Sequence, residues 1–247
     1  MRAHVGLSGW SYKEWKGIFY PDDIKSTEWL EYYAKFFDTV EINASFYRMP
    51  KAQTVINWTK NAPKNFTFCP KMSRYITHIK RLKDCEESLQ YFFEIFEPMK
   101  KKMGPVLIQL HPSQKFDYDR AGAFFELLKT QYRDYEFALE GRHDTWLHDN
   151  AFDLMARYGV AWVISQSGVG FPYSEMVTAK NVYIRFHGPG KLYASLYTKR
   201  QMQDWADKCK TWIKSGHIVW AYFNNTAEGH ALENAKQLKE MLEGSSS

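Results

Sequence analysis

Short runs of β-branched and aromatic residues recur along the chain at 4–8, 39–42, 66–70, 106–110, 136–140, 161–165, 181–186 and 218–223. Between them lie stretches whose apolar positions repeat with helical spacing, at 27–37, 52–61, 84–103, 118–130, 150–158, 198–214 and 227–242. A strand repeats its faces every two residues and a helix every 3.6, so the two patterns are distinguishable by eye. Strands alternating with helical stretches are the signature of successive parallel βαβ units. One unit departs from the rule. Residues 166–180 carry Gly168, Gly170 and Pro172 without a helical period, so a loop is expected to replace the helix after the sixth strand.

Eight such units over 247 residues match the length of a closed (β/α)8 barrel, which runs to about 250 residues. An open doubly wound sheet is the competing architecture, but no Gly-x-Gly-x-x-Gly follows the first strand. The expected fold is therefore α/β, a single TIM-type barrel domain over 1–243 with a flexible tail at 244–247.

Composition adds a core and a charge to this picture. With 45% hydrophobic and 25% charged residues the chain can bury a large interior, which excludes a disordered class. Its formal charge of +5 favours anionic partners. Cys69, Cys85 and Cys209 are scattered and form no Cys-x-x-Cys pair, so neither a disulfide framework nor a zinc knuckle is indicated and a reducing compartment is expected. The first ten residues lack an apolar targeting core, and no run of eighteen apolar residues occurs. The expected location is cytoplasmic, with no membrane partner.

Candidate chemistry sits where the strands end. A charged side chain in a buried strand is costly unless it faces the barrel mouth, where barrel sites are built. Here the second strand ends in Glu41-Ile42-Asn43, the third in Lys71 with Arg74 and His78 following, and the fourth in Gln109-Leu110-His111. The fifth ends in Glu140-Gly141-Arg142-His143, the seventh in Arg185-Phe186-His187-Gly188, and the eighth in Phe223-Asn224-Asn225. Alternate residues share a face, so Glu41 converges with Asn43, Glu140 with Arg142, and Arg185 with His187. Glu41 or Glu140 is expected to act as general acid or base, with His187 or His78 as its partner. Glu140 and Arg142 can equally be an ion pair bracing the barrel. The cations Lys71, Arg74, Arg142 and Arg185 outnumber the two glutamates, which points to a phosphate or carboxylate ligand clamped by them.

Barrel enzymes often hold phosphate between the last two loops, and here these carry His187-Gly188-Pro189-Gly190 and residues 224–229, where Asn225 or Thr226 can cap the last helix. The first loop, with Trp10, Tyr12, Trp15, Phe19 and Tyr20, can stack a base or sugar or plug the mouth. No local ligand spacing marks a metal site, although Glu41, His111, Glu140, His143 and His187 can still meet in space. No cofactor is expected, and a divalent metal stays open. Gly-x-Ser-x-Gly is absent, and Cys69 reads as core rather than nucleophile.

With these pieces assembled the chain resembles the DUF72, or YecE-like, family of uncharacterised barrel proteins. The resemblance rests on Gly9-Trp10-Ser11-Tyr12, Phe19-Tyr20-Pro21, Val40-Glu41-Ile42-Asn43 with Phe46-Tyr47-Arg48, and Lys71 with Ile76-Thr77-His78. It continues through Gly104-Pro105-Val106, Gln109-Leu110, Glu140-Gly141-Arg142-His143 with Trp146, Arg185-Phe186-His187-Gly188 and Tyr222-Phe223-Asn224-Asn225-Thr226, so it spans nearly the whole chain. It implies a TIM barrel and, through a distant likeness to the endonuclease IV and xylose isomerase group, a nucleic-acid or sugar-phosphate ligand. Two positions depart from the pattern: His111 where relatives carry proline, and Ser165-Gln166 where an aspartate is expected, which weakens a metal-dependent reading. The leading expectation is an enzyme acting on a phosphorylated metabolite or other anionic small molecule. The alternatives are a nucleic-acid-binding protein or phosphodiesterase for single-stranded or damaged DNA, and a barrel that keeps its anion pocket as a sensor without catalysis.

Overall fold

All eight expected strands form: β1 (Ala3–Leu7), β2 (Thr39–Ile42), β3 (Thr67–Pro70), β4 (Val106–Gln109), β5 (Phe137–Glu140), β6 (Ala161–Gln166), β7 (Asn181–Phe186) and β8 (Ile218–Phe223). They belong to a computed structural model that describes residues 3–168 and 170–244, so residues 245–247 of the expected tail lie outside the described residues. The paired strands run parallel in the order β3-β2-β1-β8-β7-β6-β5-β4, which brings the first strand beside the last. Only β3 and β4 remain as edges. They meet through isolated bridges, Phe68 with Met103 and Lys71 with Leu107, and through hydrogen bonds from Gly104 N–H to Phe68 O (2.9 Å) and Met72 N–H to Leu107 O (2.8 Å). The sheet is thus a nearly closed TIM-type barrel.

Around it run α1 (Trp29–Tyr33), a short α2 (Ala44–Tyr47), α3 (Ala52–Asn61), α4 (Glu86–Phe96), α5 (Tyr118–Gln131), α6 (Asp149–Tyr158), α7 (Lys199–Lys214) and α8 (His230–Glu243). Two helical stretches come out shorter than their periodicity predicts. The stretch 84–103 leaves α-geometry after Phe96, because Pro98 lacks an N–H and crowds the preceding turn, and it continues as the 3-10 turn Glu97–Lys102. The stretch 27–37 divides into a 3-10 turn, Ser26–Glu28, and α1. Thr198 caps α7 and Gln201 returns the hydrogen bond, a capping box that fixes the start of that helix. Among the described residues no helix lies between β6 and β7. The loop there is held to its strand by Trp162, whose backbone N–H donates to Thr178 Oγ1 (2.7 Å) and whose ring N–H donates to Ser174 O (3.1 Å).

Two apolar compartments follow from strand alternation. Outward residues pack on the helices, as Leu89, Phe92, Phe93 and Phe96 of α4 do from the other side. Inward residues Cys69, Leu107, Ala138, Ala161, Val163, Tyr183, Trp220 and Tyr222 form a separate cluster that fills the barrel. Trp220 stacks on His4 (4.1 Å between centroids), and its ring N–H donates to Asn181 Oδ1 (2.9 Å). Further toward the strands' C-terminal ends the Tyr222 hydroxyl meets Thr39 Oγ1 (2.6 Å) and Cys69 Sγ (3.0 Å). The barrel is a packed core rather than a pore, and it ends upward in a charged layer.

β1 has room for this packing only because Gly6 bears no side chain. A Cβ there would lie 2.3 Å from Thr39 O, a backbone atom that cannot step aside. Gly6→Ala is expected to lower stability by about 1–3 kcal/mol or more, as overpacking does. Urea unfolding should show a lower midpoint at an unchanged slope.

Candidate functional site

The charged layer is centred on Arg185, an inward residue near the end of β7. Its Nε and Nη2 donate to the two oxygens of Glu41 at 2.9 and 2.8 Å, a bidentate pair, while Nη1 donates to Glu140 Oε2 at 2.6 Å. Glu140 is held from three more sides. Arg142 Nη2 approaches its Oε1 at 2.6 Å, Ser165 Oγ donates to the same oxygen at 2.8 Å, and His187 Nε2 lies 3.5 Å away. Glu41 also accepts from the Tyr183 hydroxyl at 2.9 Å. Arg185, Glu41, Glu140 and His187 are all buried. Two arginines and two glutamates cancel in charge, which is what makes burying them tolerable.

Burial alone would raise the carboxyl pKa values, but the neighbouring guanidinium groups win. Glu41 is held below its ordinary range by Arg185, and Glu140 well below it by Arg142 and Arg185. Both are therefore permanent anions at neutral pH. Burial pushes His187 down to about 4, against the pull of the Glu140 hydrogen bond, so its ring is neutral. Asn224 Nδ2 lies 3.2 Å from His187 Nδ1. In the neutral ring the proton then belongs on Nε2, toward Glu140, with Asn224 donating to Nδ1.

Above the layer opens a cleft of about 620 Å³, lined by Tyr12, Asn43, Lys71, Arg74, His78, Gln109, Arg185 and Asn224 together with Phe46, Tyr47, His111, Pro112, Tyr193 and Thr226. This volume suits a small ligand. Its lining includes three cations and no carboxylate. Lys71 is nearly sealed, 5% exposed, and its Nζ donates to Gln109 Oε1 (2.8 Å) and sits 3.9 Å over the Phe46 ring. Its backbone is fixed by Lys71 N–H donating to Ile42 O (3.1 Å) and by Ser45 Oγ donating to Lys71 O (2.6 Å). Burial, with Arg185 adding to it, pushes the Lys71 amine down to about 7. Asn43 donates to Ser8 O (3.2 Å), while its own buried Oδ1 has no hydrogen-bond partner. His78 meets His111 edge to face (5.2 Å), and burial, then His111, lowers His78 to about 4. Tyr193 reaches the cleft from a left-handed backbone, φ 62°, which costs a side-chain-bearing residue energy.

Residues 4–247 match the model of the family described as "Protein of unknown function DUF72". This chain belongs to the DUF72 family. It is similar to the UPF0759 protein YunF of Bacillus subtilis (27% identical, covering 97% of this chain and 94% of YunF) and to the UPF0759 protein YecE of Escherichia coli O157:H7 (25%, covering 85% and 81%). Among solved structures, a DUF72 family protein from Thermotoga maritima superposes with a TM-score of 0.85 at 28% identity, covering 98% of this chain and all of that one. Another from Enterococcus faecalis, 23% identical over 98% of this chain and 95% of its own, shares the fold at a TM-score of 0.83.

In this DUF72 chain the residues expected at the site divide into two groups. Tyr12, Asn43, Lys71, Arg74, His78, Gln109, Arg185 and Asn224 line the cleft. Glu41 and Glu140 do not: both are sealed and ion-paired. Both instead bond to Arg185, which does line the cleft. His187 is likewise sealed, and Arg142 lies with its guanidinium 3.6 Å over the Phe171 ring. His143 accepts from Thr145 N–H (3.3 Å) at the start of a 3-10 turn. Trp10 is buried edge-on against Trp58 (5.1 Å), and Trp15 and Tyr20 are buried with it, so of these first-loop rings only Tyr12 lines the cleft.

The expected phosphate cradle between the last loops also dissolves. Gly188 N–H donates to the Tyr197 hydroxyl and Gly190 N–H to Ser195 Oγ (both 2.9 Å), while Asn225 donates to Ser195 O (3.0 Å) and Asn234 (3.1 Å). Neither Asn225 nor Thr226 caps α8 with its side chain: the N-cap is Gly229, in a left-handed conformation, and it is the Asn225 carbonyl that accepts from Ala231 N–H in the first turn (3.0 Å). Tyr193 was invisible to sequence reasoning, because nothing in a loop's composition reveals which side chain turns inward. Phe46 and Tyr47 carried a signal in their place directly after Glu41-Ile42-Asn43. Among the described residues no group of three or more His, Cys, Asp or Glu is placed to hold a metal ion. None of their helices is long and apolar enough to cross a membrane.

Replacing Arg185 by Met should leave two buried carboxylates under-compensated and cost about 3–5 kcal/mol at pH 7. The sign with pH is also fixed. Both glutamate pKa values are lowered by folding, so their stabilisation is present above about pH 4.5 and is lost as pH falls through the folded values. In Arg185→Met the carboxylates instead favour protonation, so its deficit relative to wild type should shrink in acid. Thermal unfolding of both proteins between pH 4 and 8 checks this.

Proposed function

We propose that this DUF72 protein is an enzyme acting on a small molecule that carries a phosphate or carboxylate group, bound over Lys71 and Arg74 at the C-terminal mouth of the barrel. The observation that carries the reading is a charge imbalance. Arg142 and Arg185 are matched by Glu140 and Glu41, whereas Lys71 has no carboxylate in ion-pair range among the described residues. A buried ammonium without a counter-ion is costly, and an anionic ligand supplies one. Arg74, exposed at the rim, offers a second contact, and the unpartnered Asn43 Oδ1 can accept from a ligand hydroxyl. His78, kept neutral by its lowered pKa, adds no charge of its own beside the bound anion.

A second reading, single-stranded nucleic acid, has one observation in its favour. Tyr47 (73% exposed) and Tyr193 (40%) stand beside Arg74 at the cleft, where bases can stack. The size of the cleft and the burial of Trp10, Trp15 and Tyr20 favour the small molecule.

Sulfate is a suitable probe because it does not titrate near neutrality. Calorimetry is expected to show binding weakened about tenfold or more in Lys71→Met and in Arg74→Ala, the loss of a charge-assisted hydrogen bond being worth about 1.5–3 kcal/mol. Sulfate favours the charged amine, so affinity should fall as pH rises through 7, with proton uptake on binding above that pH. Sulfate affinity unchanged in Lys71→Met would sink the reading. Salt-steep binding of a short single-stranded oligonucleotide, lost on Tyr47→Ala, would favour the second.

A further inference from the structure

The features of Lys71 that attract an anion serve a nucleophile equally well. Its amine lies at the floor of an open cleft, yet its side chain is almost sealed, with Gln109 Oε1 taking one N–H and Phe46 covering the stem end. Its backbone is tied to β2 and β4 on both sides, so the nitrogen is held in one place. Arg185 lies in the layer beneath, bonded to both glutamates, and together with burial it disfavours the charged amine more than Glu41 and Glu140 favour it. Such surroundings favour the neutral amine, the form with a lone pair. A value lowered to about 7 agrees with this.

We propose that Lys71 is a covalent catalytic residue whose amine condenses with the carbonyl carbon of a small aldehyde or ketone bearing an acidic group. This deepens the anion-site reading and rests on it for the acidic group, which Arg74 would hold. In the first step the Nζ lone pair adds to the carbonyl carbon, a C–N bond forms, and the π electrons pass to oxygen. That oxygen takes a proton while nitrogen releases one, giving a neutral carbinolamine. The C–O bond then breaks as its oxygen takes a second proton from an acid in the cleft and leaves as water, the nitrogen lone pair closes the C=N bond to an iminium, and the iminium returns its remaining N–H proton to that acid. The sum is amine plus carbonyl giving imine plus water, with no oxidant or reductant needed.

The cleft contains groups suited to the proton transfers. His111 Nδ1 accepts from Ser113 N–H at 3.1 Å, so in its neutral form the ring carries its proton on Nε2. Asn43 Oδ1 can receive the hydroxyl of the carbinolamine. The Tyr12 hydroxyl, by contrast, is committed to Ser8 O at 2.5 Å, and burial pushes it up to about 12, so it is no ready acid.

The test is reductive trapping on the full chain. The protein is incubated with glycolaldehyde phosphate, pyruvate or uncharged glycolaldehyde in the presence of cyanoborohydride, which reduces an imine to a stable secondary amine, and the modified lysines are mapped by peptide mass spectrometry. Lys71 is expected to be labelled at least tenfold faster than every other lysine by the two anionic probes. Its labelling should rise as pH increases through 7 and be slowed by sulfate. Lys71→Arg, which keeps a cation but cannot form the imine, should lose this adduct. Arg74→Ala, at an exposed position that leaves the fold intact, should reduce labelling by the anionic probes more than by glycolaldehyde.

Labelling of Lys71 no faster than that of surface lysines overturns the proposal, and because it is read in the wild-type protein it does not depend on a variant folding. If sulfate binds as expected while Lys71 is not labelled preferentially, the imine falls and the anion site stands. Preferential labelling without sulfate binding or sulfate protection leaves the nucleophile and removes the anion site.

Discussion

The guanidinium of Arg185 bridges Glu41 of β2 and Glu140 of β5 across the barrel, and much of the upper structure is arranged around that bridge. A lone charge at this depth would unfold the top of the barrel or lose its ionisation. With two carboxylates, Arg142, Ser165, Tyr183 and His187 completing the set, the layer is balanced in charge and held by short hydrogen bonds. It closes the apolar lumen below and forms the rigid floor of the cleft above. Charge-assisted bonds of 2.6 to 2.9 Å set the spacing of strands that have no direct contact with each other.

That arrangement explains why the fold could be read from the sequence and the site only partly. Strand periodicity survives burial, so β2, β7 and β8 fall where their β-branched and aromatic runs lie, and the missing helix after β6 is announced by its glycines and proline. The boundaries that moved did so for local reasons, as at Pro98. Strand-end polar residues correctly marked the mouth of the barrel. Their depth was not legible, because alternation tells which face a side chain takes but not whether another side chain covers it. Glu41 and Glu140 are as polar as any catalytic pair in the sequence. Only the three-dimensional position of Arg185, some 144 residues from Glu41, shows that they are already occupied.

The surplus of cations over glutamates was the more informative signal, and its meaning sharpened with structure. Two of the arginines are consumed internally, as are the glycine-loop amides that seemed suited to phosphate. What remains is a small set, Lys71 and Arg74 with the His78–His111 pair, on the β3 and β4 side of the mouth rather than over β7 and β8. A site with an uncompensated lysine behaves differently from one with a fixed arginine, because the lysine can answer a ligand by changing its own protonation.

The seam between β3 and β4 gives this a mechanical side. The barrel is a strip of paired strands whose two ends meet through isolated bridges, and one of those bridges is made by Lys71 itself. Lys71 therefore belongs at once to the line along which the barrel closes and to the floor of the cleft, so the same residue serves the wall and the site.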